Sequence, residues 1–213
     1  MQTRTDNELR EVEVVQRLEA ARVLPVATLD DAHQARPVAE ALVRGGLPCL
    51  EIAFRSPAAA EALRQARRQE GLLVGAGTIL TTEQATAAAD AGAQFAVAPG
   101  TNEEVVACCR ELGLPFFPGV ATPSEIERAR SMGLRTLKLF PASTVGGVNF
   151  LRAVSATYPD VRFIPTGGIT PQTLHEYLAV PSVLAVGGSW LVKDASRPED
   201  VERLAREAVG LSG

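Results

Sequence analysis

Apolar and polar positions alternate along the chain in blocks. Eight short apolar runs end near Thr28 (V-L-P-V-A-T), Phe54 (C-L-E-I-A-F), Gly77 (L-L-V-G-A-G), Pro99 (F-A-V-A-P), Val120 (F-F-P-G-V), Pro141 (T-L-K-L-F-P), Gly167 (R-F-I-P-T-G) and Gly188 (V-L-A-V-G-G). Nearly continuous apolar character marks strands buried on both faces, as in a parallel sheet covered from outside. The run ends lie 21 to 26 residues apart, about what one strand-plus-helix unit with short loops requires.

The segments between the runs carry helix signals. T-T-E-Q (Thr81 to Gln84), T-N-E-E (Thr101 to Glu104) and T-P-S-E (Thr122 to Glu125) have the spacing of capping boxes. Ser56-Pro57 and Thr122-Pro123 place a capping residue before a proline at the first helical position. Gly92, Gly113 and Gly133 stand where helices would stop. Pro37, inside the first of these segments, predicts a kink or a late start. Ahead of the first run, Asp6 to Ala21 reads as an amphipathic helix with Leu9, Val12, Val15 and Leu18 on one stripe.

Eight such units predict an α/β fold, a (β/α)8 TIM barrel with an extra N-terminal helix. The expected organisation is a single domain over residues 1–213, the helix at 1–21 and the barrel at 23–209. An open, doubly wound sheet is the alternative. A barrel carries its active site at the C-terminal ends of its strands, so polar residues there converge on one mouth.

Two of them interrupt apolar strands. Lys138 in T-L-K-L-F-P would bury an ammonium, which is costly unless the group is paired or neutral, and a neutral amine can attack a carbonyl. The competing reading is a strand-end lysine reaching solvent. Glu51 in C-L-E-I-A-F is the matching acid. Arg55 and Thr78 follow the second and third strands, while Pro99, Pro118 and Pro141 shape the rim. Thr166-Gly167-Gly168 and Gly187-Gly188-Ser189 follow the last two strands, where the loops of this barrel commonly bind phosphate. Tight turns are the other account of those glycines.

Composition narrows the field. With a net charge of −4 there is no basic footprint for nucleic acid. Among 21 basic residues only Lys138 and Lys193 are lysines, so a lysine in a strand stands out. Lys193 itself reads as solvated, and His33 and His175 as helix-surface residues. Cys49, Cys108 and Cys109 form neither a disulfide framework nor a zinc spacing. No run is long enough to span a membrane, and Met1 to Leu18 lacks the apolar core of a signal peptide. The expectation is a cytoplasmic protein without a metal or cofactor.

The strings L-E-I-A-F-R, G-A-G-T, A-P-G, K-L-F-P-A, P-T-G-G-I and G-G-S-W-L-V together resemble the KDPG/KHG aldolase family over about Val23 to Val209. The resemblance implies class I pyruvate aldolases that cleave 2-keto-3-deoxy-6-phosphogluconate or 4-hydroxy-2-oxoglutarate. It places the Schiff-base lysine on Lys138 and the general acid/base on Glu51. Arg55 and Thr78 would hold the pyruvate carboxylate, Pro99 would bear on stereochemistry, and Phe140 would pack beside the imine. Thr166, Gly167, Gly168, Gly187, Gly188 and Ser189 would form the phosphate loops. The resemblance also implies a homotrimer acting on a small keto acid. Ser143-Thr144-Val145 is less typical of the family. A phosphate-binding barrel isomerase without imine chemistry and a non-catalytic trimeric scaffold are the competing readings.

Overall fold

A computed structural model describes residues 2–212. Met1 and Gly213, the ends of the expected 1–213 span, lie outside the described residues. The strands are β1 (Val23–Ala27), β2 (Cys49–Ala53), β3 (Leu73–Gly77), β4 (Phe95–Val97), β5 (Phe116–Phe117), β6 (Gly119–Val120), β7 (Thr136–Leu139), β8 (Arg162–Pro165) and β9 (Val186–Gly188). All pair in parallel, in the runs β5-β4-β3-β2-β1-β9 and β6-β7-β8. Parallel bridges from Phe163 to Val183 and from Thr166 to Gly187 join β8 to the β9 side. The chain passes directly from β5 to β6, so the ring closes as an eight-fold barrel.

The fifth expected strand is therefore two. Pro118 has no N–H to give the ladder, and the halves on either side of it face different neighbours. β5 pairs with β4, and β6 pairs with β7. Pro118 still serves as an acceptor, taking the Lys138 N–H at 2.8 Å.

Outside the strands lie α1 (Gln2–Ala21), α2 (Ala35–Arg44), α3 (Ala59–Ala66), α4 (Thr82–Asp90), α5 (Glu103–Glu111), α6 (Pro123–Ser131), α7 (Gly147–Thr157), α8 (Pro171–Leu178) and α9 (Pro198–Ser212). The core has two layers. One lies between strands and helices; the other fills the barrel with Leu24, Cys49, Leu73, Phe95, Val97, Phe117 and Ile164. Val14 and Leu18 of α1 join the inner layer, so α1 plugs the bottom of the barrel. The stripe read from the sequence is only half right. Leu9 and Val12 are 64 % and 51 % exposed, because only the C-terminal half of α1 reaches under the strands.

The capping signals fare unevenly. Thr122 and Glu125 form a full capping box, and Thr81 accepts from the Gln84 N–H. At α5 the cap is Asn102 rather than Thr101, whose hydroxyl donates to the Gly119 carbonyl at 2.9 Å. Ser56 does not cap: its hydroxyl donates to the Leu29 carbonyl and α3 starts at Ala59. Pro37 gives the late start, a 3-10 turn at Ala32–Gln34 preceding α2. The last helix meets the first of the ring where Gly45 lies against α9, and a Cβ there would overlap that of Ala205.

Candidate active site

Strand alternation aims two ionisable side chains into the barrel. In β2, Leu50 and Ile52 belong to the outer layer, so Cys49 and Glu51 face inward. In β7, Leu137 and Leu139 belong to the outer layer, so Lys138 faces inward. β2 and β7 lie on opposite sides of the ring. Their side chains meet across it: Lys138 Nζ lies 3.0 Å from Glu51 Oε1 and 3.2 Å from Oε2. Glu51 is 1 % exposed and Lys138 5 %. Lys138 does not reach solvent.

Two glycines make this meeting fit. A Cβ on Gly77 would overlap the Glu51 carboxylate, and one on Gly75 would overlap the Phe95 ring. V-G-A-G in β3 thus supplies the space that Glu51 and Phe95 occupy. Below Glu51, burial pushes the Cys49 thiol up to about 12, with Arg17 opposing, so it stays protonated and inert. The Cys109 thiol is likewise pushed up to about 12, by burial first and Cys108 second.

Arg55 and Thr78 come together at the rim, the Arg55 Nε donating to Thr78 Oγ1 at 3.2 Å. Thr78 holds φ at 60°, a left-handed conformation that costs a β-branched residue on the order of 1–3 kcal/mol. Such strain persists where surrounding structure fixes a side chain's direction. Pro99 lies two residues beyond β4, its carbonyl so close to Gly119 that a Cβ there would collide. Phe140 follows Lys138 by two residues and lies against Gly167, whose Cβ would come within 3.3 Å of its ring.

The two glycine loops are neighbours. The Thr166–Gly187 bridge joins them, and Gly187 has no Cβ where the Thr166 hydroxyl stands. Gly167 and Gly168 take φ of 102° and 72°, conformations open to glycine. Ser189 is exposed at the mouth beside them. His33 and His175 are exposed on a 3-10 turn and on α8, and Lys193 is exposed. Among the described residues no group of three or more His, Cys, Asp or Glu is gathered to hold a metal ion. No helix among them is long and apolar enough to cross a membrane.

The space-making roles of Gly75 and Gly77 have no signal in the sequence, where V-G-A-G reads as a strand end and as part of the G-A-G-T string. Ser143, whose backbone N–H donates to the Gly167 carbonyl at 3.1 Å, also lay outside the candidate residues. Its only trace in the sequence is the Ser143-Thr144-Val145 stretch.

Comparison with known proteins identifies the family. Residues 14–206 match the model of the family described as KDPG and KHG aldolase. The chain is 48 % identical over 182 residues to a 2-dehydro-3-deoxy-phosphogluconate aldolase of Treponema pallidum, covering 85 % of this chain and 87 % of the relative. A crystal structure of the Zymomonas mobilis 2-keto-3-deoxy-6-phosphogluconate aldolase with 3-phosphoglycerate is 39 % identical, with a TM-score of 0.86 over 93 % of this chain and 95 % of that one. The Legionella pneumophila KDPG aldolase, with pyruvate captured as a covalent carbinolamine, is 36 % identical, with a TM-score of 0.83 over 93 % and 95 % of the two chains. By family match, by identity and by fold, this chain belongs to the KDPG and KHG aldolases.

Proposed function

We propose that this class I aldolase cleaves 2-dehydro-3-deoxy-6-phosphogluconate to pyruvate and glyceraldehyde 3-phosphate, with 4-hydroxy-2-oxoglutarate as a second substrate. The observation that carries the reading is the buried Lys138–Glu51 pair. Removing both charges from water costs several kcal/mol per ion before their attraction is counted, and apolar residues often pack such a site as well. A stable barrel does not need the pair. Imine chemistry does.

In this mechanism Glu51 takes a proton from Lys138, and the freed amine attacks the C2 ketone of the substrate. Glu51 returns the proton to the carbinolamine hydroxyl, water leaves, and a protonated imine remains. Glu51 then removes the C4 hydroxyl proton. The C3–C4 bond breaks, its electron pair moving into the imine to give an enamine, while C4 departs as the aldehyde. Protonation at C3 by Glu51 regenerates the imine, and water hydrolyses it to pyruvate and free Lys138. Arg55, oriented by Thr78, pairs with the substrate carboxylate through its forked donors. Pro99 and Phe140 bound the reacting carbons. The phosphate lies against Thr166 to Gly168 and Gly187 to Ser189, where glycine leaves backbone N–H groups uncovered. The homotrimer belongs to the same reading, and sedimentation at micromolar concentration tests it.

Borohydride trapping with pyruvate, followed by peptide mapping, tests the central claim. A reduced pyruvyl adduct on Lys138 and not on Lys193 supports it. Folded protein without an adduct returns the isomerase reading, and absence of both imine and cleavage returns the scaffold reading.

A further inference from the structure

Beside the glycine loop stands a hydroxyl that the reading above leaves unused. Ser143 follows β7 by four residues and is tied to the loop by backbone: Ala142 N–H donates to the Thr166 carbonyl at 2.9 Å, and Ser143 N–H donates to the Gly167 carbonyl at 3.1 Å. Its side chain lies directly over Gly168, where any Cβ would overlap Ser143 Oγ. The Gly168 φ of 72° and its missing Cβ together let the hydroxyl stand there.

That hydroxyl is exposed and has no hydrogen-bond partner among the described residues. The same holds for Ser189, on the far side of the Thr166–Gly168 loop across the Thr166–Gly187 bridge. Two free hydroxyls thus flank one glycine loop. Ser143 and Gly168 also head a cleft of about 370 Å³ that runs between α7 and α8. Asn149, Arg152, Thr173 and Glu176 line it, and Arg152 has no ion-pair partner among the described residues. Glu176 carries the opposite charge, so the cleft is polar rather than purely basic.

We propose that Ser143 is a specificity-determining residue, its hydroxyl donating to the substrate phosphate from the side opposite Ser189. This inference rests on the aldolase reading and extends it to a residue that touches only the phosphorylated substrate's far end. A hydrogen bond to a dianion is worth more than one to a neutral group, and a substrate without phosphate leaves the hydroxyl to water at little cost. Ser143 therefore favours phosphorylated over unphosphorylated keto acids.

The test compares kcat and KM of the wild type, Ser143→Ala and Ser143→Asp on 2-dehydro-3-deoxy-6-phosphogluconate and on 4-hydroxy-2-oxoglutarate. Ser143→Ala is expected to lower the ratio of the two kcat/KM values about tenfold, mainly through KM for the phosphorylated substrate. Ser143→Asp, which places a carboxylate against the phosphate, should lower it further. Ratios within twofold of wild type in both variants, or equal losses on both substrates, overturn the proposal. A wild type that cleaves neither substrate overturns the aldolase reading itself, and this inference with it. Circular dichroism of each variant separates a lost contact from a lost fold.

Discussion

Lys138 and Glu51 act as one unit, because each is the other's buried partner at 3.0 Å. Removing either alone leaves the other uncompensated, so single substitutions affect both stability and chemistry. Lys138→Arg cannot form an imine, since guanidinium stays charged and has no free amine lone pair. Its pyruvate adduct should be absent and its cleavage lost; retained turnover would move the chemistry elsewhere. Glu51→Gln keeps shape but transfers no proton, and turnover should fall on the order of 10²- to 10⁴-fold. Gly77→Ala is the subtler case. Its Cβ needs the space of the Glu51 carboxylate, so Glu51 must swing away from Lys138. An ångström of misplacement can cost about 10²-fold in rate, and stopped-flow imine formation in this variant measures that loss. Unchanged kinetics would mean that Glu51 need not stand where it does.

At the scale of elements, α1 closes the barrel through two side chains one helical turn apart. Leu18 is fully buried and Val14 4 % exposed. Leu18→Ala would leave a cavity at the barrel bottom and should cost about 2–5 kcal/mol. Urea unfolding reads this as a lower midpoint with an unchanged slope. Leu9→Ala, on the exposed half of the same helix, should move the midpoint little. Equal effects at the two positions would mean that the whole stripe is buried, as the periodicity alone suggests. The helix caps show why local patterns partly mislead. T-P-S-E works at α6, where Thr122 and Glu125 cap each other's backbone N–H groups, whereas Thr101 gives its hydroxyl to Gly119 and Ser56 to Leu29. Each hydroxyl went to a carbonyl that only folding brought near.

Across the whole molecule, acid stability draws on surface ion pairs. Asp160, held by hydrogen bonding from Arg130 first and by the charges of Arg130 and Arg135, sits below the usual carboxylate range. A depressed folded-state pKa adds stability that is present above the unfolded value, near pH 4, and is lost as pH falls through the folded value. Asp160→Asn should therefore shallow the loss of thermal stability in that acid window while changing little near neutrality beyond an exposed pair's small contribution. A melting profile from pH 3 to 7 checks this, and an acid limb as steep as wild type would assign the dependence to other carboxylates.

The sequence by itself determined the barrel, because strand and helix periods repeat at near-constant spacing and leave few topologies. It also marked Lys138 and Glu51, since a charge in an apolar strand conflicts with burial wherever the strand lies. The resemblance then named the chemistry those two residues would perform. Only the tertiary structure decided that they touch, since β2 and β7 are 87 residues apart in the pair and face each other only once the ring closes. It alone gave Gly75 and Gly77 their meaning, as vacancies for side chains from neighbouring strands. It alone placed Ser143 over Gly168, because backbone bonds from the β7 loop to the β8 loop bring the two together. Periodicity reports which face a residue shows; it cannot report what stands opposite.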